Sequence, residues 1–349
     1  MKRPLEGVRV LDFSTLLPGP LCTLLLAEAG AEVTKVERPG VGDEMRTYTP
    51  RVGPDSVNFA LLNRGKRSVV FDLKNEREKV LPLVREADVL VEQFRPGVME
   101  RLGLGYSQLR SENPRLIYCA ITGYGQTGPR ANVAAHDLNY VAESGMLSLT
   151  EQPMVPAALL ADIAGGAYPA VMNILLALRS RERDGQGCKL DISMSDNLFT
   201  FLYWALGEGE LGKWPGAGDA LVTGGSPRYQ VYRTADDRFV AAAPLEDRFW
   251  DNFCAALSIP KNATREIVAQ KIREQSAEEW RSIFAGKDVC ATIVATMQEA
   301  LADPHFRARG IFRHQVETDA GPITAVPVPV VDEFRDAAPK GYPRLGADN

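Results

Sequence analysis

Two residues of the types that general acid–base chemistry uses, His136 and Asp162, stand out by their local contexts. His136 sits in Ala134-Ala135-His136-Asp137-Leu138-Asn139-Tyr140, just after a glycine-rich loop and at the start of a helix-like segment. The chain has only three histidines. Asp162 sits in Leu159-Leu160-Ala161-Asp162-Ile163-Ala164-Gly165-Gly166. A carboxylate in an apolar run is expensive to bury unless it is paired or used. Both residues also have plain structural readings: a hydrogen-bonded structural histidine, and a helix N-cap. The residues alone leave those readings open.

A second group is cationic. Arg38 follows a strand-like run, Lys74 ends another, and Arg95 ends a third, with Arg101 about a turn further on. Arg64, Lys66 and Arg67 precede the strand that Lys74 closes. In a parallel sheet the strand C-termini share one rim, where ligands bind. Arg38, Lys74 and Arg95 would converge there and suit a polyanion such as a nucleotide. Solvated surface charge is the competing reading.

Several familiar chemistries are disfavoured. Gly123-Tyr124-Gly125-Gln126-Thr127-Gly128 matches G-x-G-x-x-G, but Pro129 follows at once and no second strand comes soon after. A loop that lets a ligand approach the backbone is the better reading. His136, His305 and His314 have no metal-ligand spacing, so no metal is expected. The Gly-x-Ser-x-Gly signature of a serine hydrolase is missing.

The elements that must carry these residues alternate. Val8–Phe13, Glu32–Val36, Ser68–Leu73, Asp88–Phe94, Leu116–Thr122 and Lys189–Ser193 read as strands. Gly19–Ala29, Glu76–Ala87 and Ala167–Ser180 read as helices between them. Repeated strand–helix units imply an α/β fold with a parallel sheet. After the apolar helix Leu198–Leu206 the character changes. The expected organisation is a large domain over 1–206 and 306–349, a glycine-rich linker over 207–225, and a smaller α+β domain over 226–305, opening with a hairpin around Ala235-Asp236-Asp237.

Bulk properties fit this. The 349 residues are 45% hydrophobic and 24% charged, with net charge −5, which argues against a non-specific nucleic-acid or membrane-surface binder. The five cysteines show no CxxC spacing and read as reduced thiols. No signal peptide is expected, and the apolar stretch from Ala157 to Leu178 is interrupted by Asp162, Gly165, Gly166 and Pro169. A cytoplasmic location is expected.

Taken together, the motifs resemble the class III CoA-transferases (the CaiB/BaiF superfamily) and their relatives the α-methylacyl-CoA racemases. The resemblance opens with Pro4-Leu5-Glu6-Gly7-Val8-Arg9-Val10-Leu11-Asp12 and Leu17-Pro18-Gly19-Pro20. It continues through Lys35-Val36-Glu37-Arg38-Pro39, Asn63-Arg64-Gly65-Lys66-Arg67-Ser68, Phe71-Asp72-Leu73-Lys74 and Phe94-Arg95-Pro96-Gly97 to Tyr124-Gly125-Gln126-Thr127-Gly128-Pro129.

The resemblance implies a Rossmann-like large domain and an interlocked homodimer. It also implies CoA as part of a thioester substrate, with no tightly bound cofactor. Leu17, Pro18, Arg38, Lys74, Arg95 and Arg101 would contact CoA, joined by Asp137 and Tyr140. Transferases of this kind use one aspartate as a nucleophile, and Asp162 stands at that position. Racemases use the same aspartate with a histidine as two acid/base groups; His136 matches that histidine, and Glu246 a glutamate that supports it. On its own Glu246 also reads as a helix-start carboxylate. A racemase of 2-methyl-branched acyl-CoA is therefore expected, ahead of a CoA-transferase and of a catalytically idle CoA-binding homologue. Relatives usually continue past Arg344-Leu345-Gly346 into a final helix, so this chain departs from them at its C-terminus.

Overall fold

The computed structural model describes residues 3–349. The chain divides into two compact units: residues 3–144, 156–200 and 309–349 form the first, and 145–155 with 201–308 form the second.

The first unit is built on six parallel strands: β1 (Arg9–Asp12), β2 (Glu32–Glu37), β3 (Arg67–Val70), β4 (Val89–Glu92), β5 (Ile117–Thr122) and β6 (Lys189–Ser193). Their order across the sheet is β3-β2-β1-β4-β5-β6. All six lie within or beside the runs read from the sequence, and the central ones are the short apolar, β-branched stretches that a doubly covered parallel strand requires. Both β4 and β5 are buried along their whole length.

The crossover helices set the ligand edge. Helix α1 (Pro18–Glu28) joins β1 to β2 and is buried on every side, as a helix apolar all round should be. Proline at its first turn needs no N–H partner. Helix α2 (Arg77–Glu86) joins β3 to β4 and buries Val80, Leu81 and Val84 in the core under Leu11, Leu90 and Tyr118. Helix α3 (Asp137–Glu143) follows β5. Helix α4 (Tyr168–Asp184) precedes β6 and is entered through a seven-residue π-helical segment, Ala161–Ala167.

The continuous helical run Ala161–Asp184 is long and apolar enough, by composition, to cross a membrane. Ala161, Gly165, Gly166, Ala167, Ala170, Ile174 and Ala177 pack inward, and Arg181 binds Asp88 at 2.8 Å. Tyr168, Met172, Leu175 and Leu176 form an exposed apolar stripe.

In the second unit the expected hairpin is present as β7 (Gln230–Arg233) against β8 (Phe239–Ala242), and a third antiparallel strand, β9 (Ala291–Ile293), pairs with β8. Helix α6 (Asp247–Leu257) places Trp250, Phe253 and Leu257 in this unit's core. The stretch 207–225, expected as a linker, belongs to the second unit: helix α5 (Tyr203–Glu210) runs into it and a 3-10 turn covers Leu221–Thr223. Glycines at 207 and 209 hid the end of that helix from a composition-based reading.

Candidate active site

In an open parallel sheet a ligand crevice forms where strand order reverses, outside the carboxyl ends. Here that point lies between β1, whose helix leads to β2, and β4. A cavity of about 410 Å³ opens there. Leu16 and Pro18 border it from the β1–α1 turn, Gln93–Pro96 from the end of β4, and Ile121–Tyr124 from the end of β5. Ala131, Val133–His136, Asn139 and Tyr140 form another wall, and Asp162 and Met194 complete it. The structure thus brings His136 and Asp162 to one cavity.

His136 is the N-cap residue of α3, with extended backbone, and its side chain is exposed. Its backbone N–H donates to Asn139 Oδ1 at 3.0 Å. The next residue, Asp137, is buried, and its Oδ1 accepts the backbone N–H of Asp162 at 3.0 Å. Asp162 itself is half-buried, on the first turn of the π-helical segment. Gly165 and Gly166 let that segment press onto Met194: a Cβ at 165 would lie only 2.3 Å from the Met194 carbonyl oxygen. Asn197 Nδ2 holds the Gly165 carbonyl at 2.8 Å. Burial, then the neighbouring Asp137 carboxylate, push Asp162 up to about 6, with His136 pulling the other way. Such a carboxyl takes up and gives back a proton near neutral pH, as an acid–base catalyst must.

The rim cations are placed as the strand order dictates. Lys74 follows β3, Arg38 follows β2, and Arg95 and Arg101 follow β4, so they flank the turn after β1 on both sides. All four are exposed, and among the described residues none forms an ion pair. Arg95 borders the cavity itself. Arg64 and Lys66 behave differently. Both are buried, Arg64 against Glu28 at 2.8 Å and Lys66 against Asp12 at 3.1 Å, so neither is free for a ligand. Leu17 is the N-cap residue of α1 and Pro18 its first residue.

Asp137 and Tyr140, expected to touch CoA, both have internal partners, and Tyr140 also lines the cavity. The Asp137 carboxylate serves Asp162, and Tyr140 Oη donates to the Ala135 carbonyl at 2.7 Å. Glu246 lies in the second unit as the exposed N-cap residue of α6. The glycine-rich loop forms a turn, not a phosphate cradle: Gly125 and Gly128 have positive φ, and Gln126 N–H donates to Asp191. Among the described residues no cluster of His, Cys, Asp or Glu could hold a metal, and all five cysteines are unpaired. Gln93, whose Oε1 accepts the Gly19 N–H at 2.9 Å, carried no sequence signal.

The sequence model of CoA-transferase family III matches residues 5–349. The chain belongs to that family. The family member is 36% identical to human alpha-methylacyl-CoA racemase, over 95% of this chain and 89% of the relative. It is 39% identical to an acetyl-CoA:oxalate CoA-transferase of Acetobacter aceti, over 75% of this chain and 69% of the relative. Among solved structures, a CAIB/BAIF family protein from Brucella suis superposes with a TM-score of 0.83 at 28% identity, covering 99% and 97% of the two chains. The family's racemases and transferases both act on CoA thioesters, so CoA dependence follows from membership; the choice of reaction does not.

Proposed function

We propose that this family member inverts the α-carbon of a 2-methyl-branched acyl-CoA, with His136 and Asp162 as the two acid/base groups. The observation that carries this reading is their presence at one cavity, with Asp162 poised at about 6. Inversion needs a base on one face of the α-carbon and an acid on the other. His136 and Asp162 exchange those roles with the handedness of the substrate. Loss of the weakly acidic α-proton builds charge on the thioester oxygen, which fixed donors must stabilise. The Asp162 N–H is taken by Asp137, so we assign this to the Gly123–Tyr124 main chain, which borders the cavity.

Lys74, Arg38, Arg95 and Arg101 would bind the CoA phosphates, with Leu17 and Pro18 against the ligand. For Glu246 only the supporting role that the family resemblance implies is carried over. The exposed stripe Tyr168, Met172, Leu175 and Leu176 favours burial against a second copy of the chain, in keeping with a homodimer.

A second reading is a CoA-transferase in which the Asp162 carboxylate attacks the thioester. Identity to the Acetobacter aceti transferase favours it. Incubation with a single enantiomer of 2-methylacyl-CoA in D₂O separates the two. Racemisation places solvent deuterium at the α-carbon without any acyl acceptor. No exchange, together with transfer of CoA to an added carboxylate, would falsify the racemase reading. Thioester binding with neither reaction would leave a non-catalytic binder.

A further inference from the structure

The turn that enters the cavity from β1 is held in a shape that its own sequence does not favour. Leu16, which borders the cavity, has φ of 63°, a left-handed conformation that costs a leucine free energy. Such a residue persists only when its surroundings over-determine it. Here they do so with charges sealed inside the fold. Asp12, Lys35, Asp43 and Lys66 are all fully or almost fully buried.

Asp12 Oδ1 accepts the Ser14 N–H at 2.9 Å. Lys35 Nζ donates to the Ser14 carbonyl at 2.7 Å and pairs with Asp43 at 2.9 Å. Asp43 Oδ1 accepts the Leu16 N–H at 3.1 Å and the Met45 N–H at 3.0 Å. Lys66 and Thr23 occupy the other Asp12 oxygen at 3.1 and 2.6 Å. Gly19 finishes the turn, with its N–H on Gln93 and no room for a Cβ beside Ser14.

A buried ion pair is weak evidence for stability, since apolar residues of similar volume often serve as well. What this pair supplies is directional: one anchor for the Ser14 carbonyl and one for the Leu16 N–H. We propose that Lys35 and Asp43 are positioning residues that fix the Ser14–Gly19 turn in its ligand-receiving shape before CoA arrives. Pre-organisation of this kind removes an ordering cost from binding. The inference rests on the reading that CoA occupies this cavity.

The test compares wild type with Lys35→Met/Asp43→Leu, which removes both anchors without leaving a lone buried charge, and with Asp43→Asn, which keeps the Leu16 acceptor but sets an amide donor against Lys35 and leaves it Asp12 at 3.9 Å. Hydrogen exchange over residues 13–21, Tm, the Kd for CoA and the KM and kcat for the thioester are measured. In the double variant the turn exchanges faster, Kd and KM rise about 10-fold, and kcat changes little, an effect of uniform binding. Asp43→Asn shows the same changes at smaller size. Faster exchange with an unchanged Kd in both variants overturns the proposal. So does a loss of affinity that only follows a loss of Tm. If wild type fails to bind CoA, the ligand assignment falls, and exchange in the variants still decides whether the pair holds the turn.

Discussion

The Asp137 carboxylate accepts the backbone N–H of Asp162 at 3.0 Å, so the residue beside His136 both fixes and tunes the carboxyl that shares its cavity. The negative charge of Asp137 adds to burial in raising Asp162. In Asp137→Asn the amide oxygen still accepts the same N–H, but the charge is gone. The Asp162 carboxyl then ionises at lower pH. Where Asp162 must be ionised to act as base, activity falls as pH drops through about 6 in wild type. The expected result is an acid limb of kcat/KM displaced to lower pH in the variant. A limb that stays in place rules out this coupling.

The same shift carries a stability cost. An unfolded Asp162 ionises near 3.8 and the folded one near 6. Below both values the two states bind the proton equally and nothing is lost. Between them the unfolded chain gains the ionised form first, so folding weakens as pH rises; above about 6 the loss is constant. It amounts to at most about 3 kcal/mol. Asp162→Asn is therefore expected to abolish activity yet stabilise the protein at pH 7.5, with little gain near pH 3.5. Urea denaturation of both proteins at the two pH values measures this, and an equal gain at both would contradict it.

Glu92 offers an independent check on the strand that leads to Arg95. It ends β4, is buried, and accepts the Phe94 N–H at 2.7 Å. Burial, with a smaller contribution from Glu100 and against the Phe94 N–H, pushes it up to about 8. Stability is thus lost as pH rises from the ordinary carboxyl range through about 8. Glu92→Gln keeps an acceptor for Phe94 and cannot ionise. Its advantage over wild type should grow by roughly 2–4 kcal/mol between pH 5 and pH 9. Parallel pH–stability curves for the two proteins would show that Glu92 ionises in the fold as readily as in the unfolded chain.

The strands and the rim were legible in the sequence because both leave local marks. Apolar β-branched runs such as Ile117–Thr122 announce buried strands, and a cation just after each, as at Arg38 and Arg95, places it on the C-terminal edge. The order of the strands left no local mark, yet it alone puts the crevice between β1 and β4. Charge was the least legible property. Lys66 and Arg64 look in sequence like Arg67 beside them, but Asp12 and Glu28, distant in the chain, draw them into the core. The hydrogen bond between Asp137 and Asp162, 25 residues apart, likewise left no mark in the sequence. The π-helical segment was hidden for another reason: Ala161–Ala167 has the composition of an ordinary helix start, and its close approach to Met194 exists only in the fold.

That packing leads to the most local prediction. A methyl group at Gly165 would overlap the Met194 carbonyl, which is main chain and cannot swing aside. Gly165→Ala must therefore displace the segment that carries Asp162 or the turn after β6. Overpacking of this kind costs about 1–3 kcal/mol. A displacement near 1 Å at a reacting group can cost about 100-fold in rate, so kcat should fall far more than the stability loss explains. Gly207→Ala supplies the contrast. Gly207 lies within α5, and a Cβ there meets nothing within 4 Å. Alanine is favoured over glycine in a helix by about 1 kcal/mol, so that variant should be as stable as wild type or more so, with unchanged kcat. Melting curves and α-proton exchange rates for the two variants test the argument. Full exchange activity in Gly165→Ala would mean that the position of Asp162 does not depend on the close approach of Gly165 to Met194.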